Sequence, residues 1–135
     1  MRVRLSNQQG EVPVRVRPLL RRLKASLPLL PCPLPAELTA IQFVLVDRAT
    51  MARVHGNFLG DPTETDVITF PYGEILVCPA VAQDRAVEYG FEIEQEVLLY
   101  ALHGLLHLAG HDDATPALAK EMAQAQERLL KQVLG

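Results

Sequence analysis

Three of the chain's four histidines, His103, His107 and His111, fall in one stretch, ALHGLLHLAGHDD, residues 101–113. The rest of it is leucine, alanine and glycine until Asp112 and Asp113 close it. An imidazole gains little from burial among leucines, but neutral rings beside carboxylates are suited to a metal ion. His103 and His107 are four residues apart, so on a helix they share one face, with Cβ atoms about 5–6 Å apart. Two ring nitrogens about 2.1 Å from one tetrahedral zinc lie about 3.3 Å from each other, which this spacing reaches by choice of rotamer. Gly110 can take a left-handed conformation and turn the chain back, so that His111 or Asp113 supplies a third donor. Three protein ligands with a fourth position open is the arrangement of catalytic rather than structural zinc. Zinc peptidases of the H-E-x-x-H type use the glutamate after the first histidine as general base. Here that position is Gly104, which cannot move a proton. The segment therefore predicts a metalloprotease-like zinc helix without the peptidase base, and one zinc ion per chain.

Such a pair needs a long helix to carry it. FEIEQEVLLYALHGLLHLAG, residues 91–110, supplies one, with Gly110 at its stop and Glu92, Glu94 and Glu96 early, where acids complement the helix N-terminus. These three glutamates are expected to be solvated. Upstream, Val3 and Leu5 alternate with Arg2 and Arg4 as a half-buried strand. Leu19, Leu20, Leu23 and Leu27 recur at helical spacing from a start near Pro18. LPLLPCPLP, residues 27–35, has four prolines that forbid a regular element. TAIQFVLVD reads as a strand, Asp47 as the N-cap of RATMARVHGNFL, and GDPTET as a loop. TDVITFP and GEILVCP form two more strands around a turn at Tyr72 and Gly73, and PAVAQDRAVEYG forms a short helix closed by Gly90. Thr115 and Pro116 open a last helix that runs to about Leu134. The content is α+β, about four strands in one sheet with helices against it. One sheet edge is expected to line a cleft beside the histidine helix.

At 135 residues the chain fits one domain, 1–135, and can bury a core without staples. Its two cysteines, Cys32 and Cys78, form no CxxC pattern, which argues against a disulfide framework and suits the cytoplasm. The charged N-terminus MRVRLSNQQG has no signal-peptide character. No apolar run reaches the roughly 20 residues of a membrane span, so no membrane partner is expected.

Charge is unevenly distributed. Residues 1–30 hold seven Arg or Lys against Glu11, whereas residues 61–113 hold eleven Asp or Glu against Arg85. Two poles of opposite sign predict a cation near one and a polyanion near the other. Arg15, Arg17, Arg21, Arg22 and Lys24 are the candidate phosphate contacts. The few aromatics, among them Phe58, Phe70 and Tyr72, imply recognition mainly by shape and charge.

HGLLHLAGHD, preceded by TDVITFP and GEI, resembles the YbeY family of single-strand-specific endoribonucleases, and the likeness extends over nearly the whole chain. The resemblance implies a small mixed sheet flanked by helices. It also implies a zinc-dependent enzyme that matures ribosomal RNA, notably the 16S 3′ end, and takes part in ribosome quality control. The partners would be single-stranded RNA, an rRNA precursor and the small ribosomal subunit. The family pattern HGxLHLxGYDH has a third histidine where this chain has Asp113, and a tyrosine where it has His111. Asp113 is the expected third ligand, with His111 the alternative. The family commonly carries an asparagine and an arginine at the positions of His55 and Leu59. His55 is thus a candidate to take over part of that role. Asp66, with Thr65, is a candidate for orienting substrate. The rival from another class is a metal-stabilised ribosome-assembly or binding protein with little catalysis.

Overall fold

A computed structural model of the protein describes residues 1–61 and 63–135. In chain order its elements are β1 (Arg2–Asn7), α1 (Val16–Ser26), a 3-10 turn (Leu27–Leu29), β2 (Ala40–Leu45), α2 (Arg48–Leu59), β3 (Val67–Phe70), β4 (Glu74–Val77), α3 (Pro79–Tyr89), α4 (Ile93–Leu108) and α5 (Pro116–Leu134). The strands form one sheet in the order β1-β2-β4-β3. β1, β2 and β4 run parallel, while β3 pairs antiparallel with β4 and forms an edge. The fold is thus α+β with a small mixed four-stranded sheet, as the sequence indicates.

Alternation within the strands sorts side chains between two layers. Ile41, Phe43, Leu45, Ile75 and Val77 point to one face, against Leu19 and Leu23 of α1, the apolar side of α4, and Met122 and Leu129 of α5. Val44, Leu76 and Ile68 point to the other, where Met51 of α2 and Val12 cover them. α4 is apolar on most of its circumference because it lies between the sheet and the outer helices: Val97, Leu98, Leu102, Leu105 and Leu106 are all buried. It rests on β3 and β4, whereas α1 packs on β1 at the far side of the sheet.

Local chemistry accounts for the helix starts. The Asp47 side chain accepts the Thr50 N–H at 2.7 Å and begins α2. Thr115 Oγ1 accepts the Leu118 N–H at 3.2 Å and begins α5, with Pro116 in the first turn. Arg48 then ties α2 to its surroundings, donating to Asp84 at 2.8 Å and to the Ala80 carbonyl at 3.0 Å. α1 begins at Val16 with Pro18 in its first turn, as expected, because proline at the third helical position needs no N–H donor there. Two expectations need correction. The proline segment does hold a regular piece, the 3-10 turn with Pro28 in its first turn. The early glutamates of α4 are not all solvated. Glu94 accepts three hydrogen bonds from the Arg15 guanidinium at 2.9–3.2 Å, and Glu96 is only 8% exposed. Of the GDPTET loop, Pro62 lies outside the described residues.

Candidate metal centre

The C-terminal half of α4 brings His103 and His107 one turn apart on the side that faces β3. The residue between them is what lets the helix approach so closely. A Cβ on Gly104 would lie 2.7 Å from Ile75 Cγ2 and 3.0 Å from Thr69 Oγ1. Any side chain there, the peptidase glutamate included, would push α4 off the sheet. Gly104 therefore fits the packing as well as ruling out that base.

Beyond His107 the helix ends in a Schellman turn. Gly110, at φ +98°, donates to the His107 carbonyl, and the His111 N–H reaches back to the Leu106 carbonyl at 2.9 Å. Asp112 then caps the returning chain: its Oδ1 accepts the N–H groups of Asp113 at 2.7 Å and Ala114 at 3.1 Å. The result aims Asp113 at the histidine pair. His103 Nε2 and His107 Nε2 are 3.1 Å apart, and Asp113 Oδ2 lies 3.9 Å and 3.8 Å from them. His103, His107 and Asp113 thus offer one donor atom each within 4.8 Å of one another. The His111 ring is not part of this group; the residue contributes its backbone carbonyl instead.

Hydrogen bonding fixes which ring atoms are donors and which are bare. His107 Nδ1 is 3.1 Å from the His111 carbonyl, an acceptor only, so Nδ1 carries the proton. His103 Nδ1 donates to Gln126 Oε1 of α5 at 2.7 Å. Both Nε2 atoms then present lone pairs to each other at 3.1 Å, an arrangement that repels unless a cation lies between them. Burial first, and then the neighbouring His103, push the His107 imidazole below its ordinary pKa and favour the neutral, metal-binding form. The donor distances are close to the roughly 3.3–3.5 Å expected around one ion with tetrahedral geometry. The residues fit a divalent metal.

The triad lies where two cavities meet. One, of about 750 Å³, runs along β3 and is lined by Phe58, Leu59, Val67, Ile68 and Phe70. The other, of about 420 Å³, lies between α3 and α5 and is lined by Arg85, Tyr89, Glu96, Tyr100 and Gln126. Asp66, His103 and Asp113 belong to both. Edge strand β3 thus lines a cleft beside the histidine helix, as expected.

The structure brings some of the candidate residues to this cleft and leaves others away from it. Asp66 lines both lobes, its Oδ1 accepting the Val67 N–H at 2.8 Å and its Oδ2 lying 3.5 Å from Arg85 Nη1. His55 lines neither lobe; its Nδ1 donates to the Thr63 carbonyl at 2.9 Å and braces the segment after α2. Arg15, Arg17, Arg21, Arg22 and Lys24 belong to α1 or its N-cap and line neither lobe. Gln126, Glu96 and Arg85 are residues that sequence reasoning missed. Glu96, Tyr100, His103 and His107 follow one another at steps of four, three and four, a helical stripe that could have revealed Glu96. Nothing local marks Gln126 or Arg85, which reach the site from other helices. Among the described residues, no helix is long and apolar enough to cross a membrane.

Comparison with known proteins adds a second line of observation. The family model described as Endoribonuclease YbeY matches residues 5–134. A protein of Renibacterium salmoninarum named Endoribonuclease YbeY is 36% identical over 114 residues, covering 72% of this chain and 73% of its own length. One of Nocardia farcinica with the same name is 37% identical over 111 residues, which covers 68% of this chain but only 60% of the relative. A solution structure of a Thermotoga maritima protein superposes with a TM-score of 0.71 at 28% identity, covering 97% of this chain and 88% of that one.

Proposed function

Since the chain belongs to the YbeY endoribonuclease family, we propose that it is a metal-dependent endoribonuclease, a hydrolase that cuts single-stranded RNA within the strand. The observation that carries this reading is the pair of bare Nε2 atoms at 3.1 Å with the Asp113 carboxylate beside them, at the junction of an open cleft. His103, His107 and Asp113 would hold one zinc ion. When bound, the cation supplies Lewis-acid stabilisation of charge developing on a phosphoryl group. The chain's own residues do the rest. Gln126 and the His111 carbonyl hold the rings in the metal-binding tautomer. Asp66, at the head of β3, orients what enters from either lobe. His55 has a bracing role at one remove from the cleft. No general base occupies the Gly104 position, so the nucleophile, a water or the RNA 2′-hydroxyl, passes its proton to another group as it bonds to phosphorus and the P–O bond to the departing strand breaks, that oxygen leaving as a hydroxyl. The apolar β3 lobe suits unpaired bases, and basic α1 is a secondary contact for RNA that extends past the cleft. The substrate would be an rRNA precursor, processed at the 16S 3′ end in contact with the small subunit, in the cytoplasm.

The decisive experiment compares cleavage of a labelled single-stranded RNA by wild type and by His107→Ala, with the fold checked by circular dichroism and metal content by mass spectrometry. Wild type should hold about one zinc per chain and cut internally, and the variant should lose both properties. Equal cleavage by the two would expose a contaminating nuclease and favour a ribosome-binding role with little catalysis.

A further inference from the structure

The lining of the cleft poses an electrostatic problem for any RNA substrate. Asp66, Glu96 and Asp113 line its two lobes, and all three repel phosphate when ionised. One divalent cation offsets only part of that charge. Among the described residues, Arg85 is the one Arg or Lys that lines either lobe. It projects from α3 with its guanidinium carbon 5.7 Å from the centre of the Tyr100 ring, a cation–π platform that holds the planar fork in place. Its side chain is still 52% exposed, so its remaining N–H donors can reach a ligand. Tyr100 lines the same lobe, with its hydroxyl buried beside Glu96. A guanidinium with spare donors matches the oxygens of a phosphodiester. The opposite lobe, lined by Phe58, Leu59 and Phe70, has no Arg or Lys among the described residues and suits bases.

We propose that Arg85 is the phosphate ligand of this cleft, gripping a phosphodiester of single-stranded RNA in the α3–α5 lobe while neighbouring bases lie along β3. The assignment rests on the endoribonuclease reading above and names the residue that makes an acidic cleft able to accept RNA.

The test measures both cleavage and binding of one single-stranded RNA oligonucleotide across a salt series, for wild type, Arg85→Met and Arg85→Lys. Methionine keeps the apolar stem on Tyr100 and removes the charge. Arg85→Met should weaken binding and raise KM about tenfold or more with little change in kcat. The slope of log affinity against log salt should fall by about 0.7, the share of one phosphate on a single strand. Arg85→Lys should keep the slope and recover part of the affinity. An unchanged slope in Arg85→Met would overturn the proposal. So would an equal loss in Asp66→Ala with no further loss in the double variant, since Arg85 would then act only by positioning Asp66. A wild type that binds the oligonucleotide without cutting it would sink the nuclease reading alone, because the binding slopes still judge Arg85. A wild type that neither binds nor cuts would overturn both.

Discussion

At the scale of single residues, the site depends on atoms that touch no ligand. Gln126 fixes the His103 ring through a 2.7 Å hydrogen bond, and losing it frees the ring to turn and take the other tautomer. Gln126→Leu should lower metal affinity about 10–100-fold with the fold intact, read by competition with a chromophoric chelator. Affinity equal to wild type would mean that the ring is held by packing alone. The pairing of His103 and His107 is legible in the sequence, because a spacing of four on a helix is a geometric statement. Spacing alone does not separate Asp113 from His111, since both follow Gly110 closely. Three-dimensional detail separates them: the Asp112 cap turns the Asp113 side chain inward, while His111 spends its carbonyl on His107.

At the scale of elements, helix α4 and strand β3 must touch for the cleft to have its shape, and Gly104 is the contact. Gly104→Ala gains up to about 1 kcal/mol of helix propensity. It also places a methyl 2.7 Å from Ile75, which is fully buried and cannot withdraw. Overpacking of this kind costs about 1–3 kcal/mol, so the clash wins. The variant should melt several degrees lower and bind metal more weakly, by scanning calorimetry and chelator competition. A raised melting temperature would show that the sheet yields easily. Every helix and strand was readable from periodicity and capping residues, with ends shifting by a residue or two. What the chain could not disclose locally was the sheet order. That depends on how the connections through α1 and α2 return the chain to the sheet, and it alone decides that β3 rather than β1 borders the histidines.

At the scale of the whole molecule, two linkages should govern stability. A metal that binds only the folded triad adds about 2.7 kcal/mol at a free concentration one hundred times its Kd. Melting temperature should therefore rise with added zinc and fall back with chelator in wild type, and stay fixed in His103→Ala. The second linkage is acid. Hydrogen bonds from Thr50, Arg48 and Arg15 hold the carboxyls of Asp47, Asp84 and Glu94 below their ordinary range. The unfolded chain binds protons more readily at these groups, so their stabilisation is complete above their unfolded pKa near 4 and is lost as pH falls through the lower folded values. Urea midpoints of the metal-free protein should hold down to about pH 5 and then decline. A midpoint that is flat to pH 2.5 would remove these contacts from the account. The poles of charge read from the sequence are only partly separate: basic α1 packs on β1 while Asp66 and Asp113 line the cleft beside β3, but the two sets meet at the Arg15–Glu94 pair.

The Schellman turn after α4 has one further consequence. Two of the donors are anchored in the hydrophobic interior, so their spacing cannot drift without disturbing the entire molecule. The third, Asp113, hangs on a short surface bend between the His111 carbonyl that holds His107 and the Thr115 cap of α5, and its side chain can be exchanged without touching either. Which ion is preferred, and how tightly, is therefore adjustable in natural variants or by an engineer through this bend alone, while the architecture that carries it is left undisturbed.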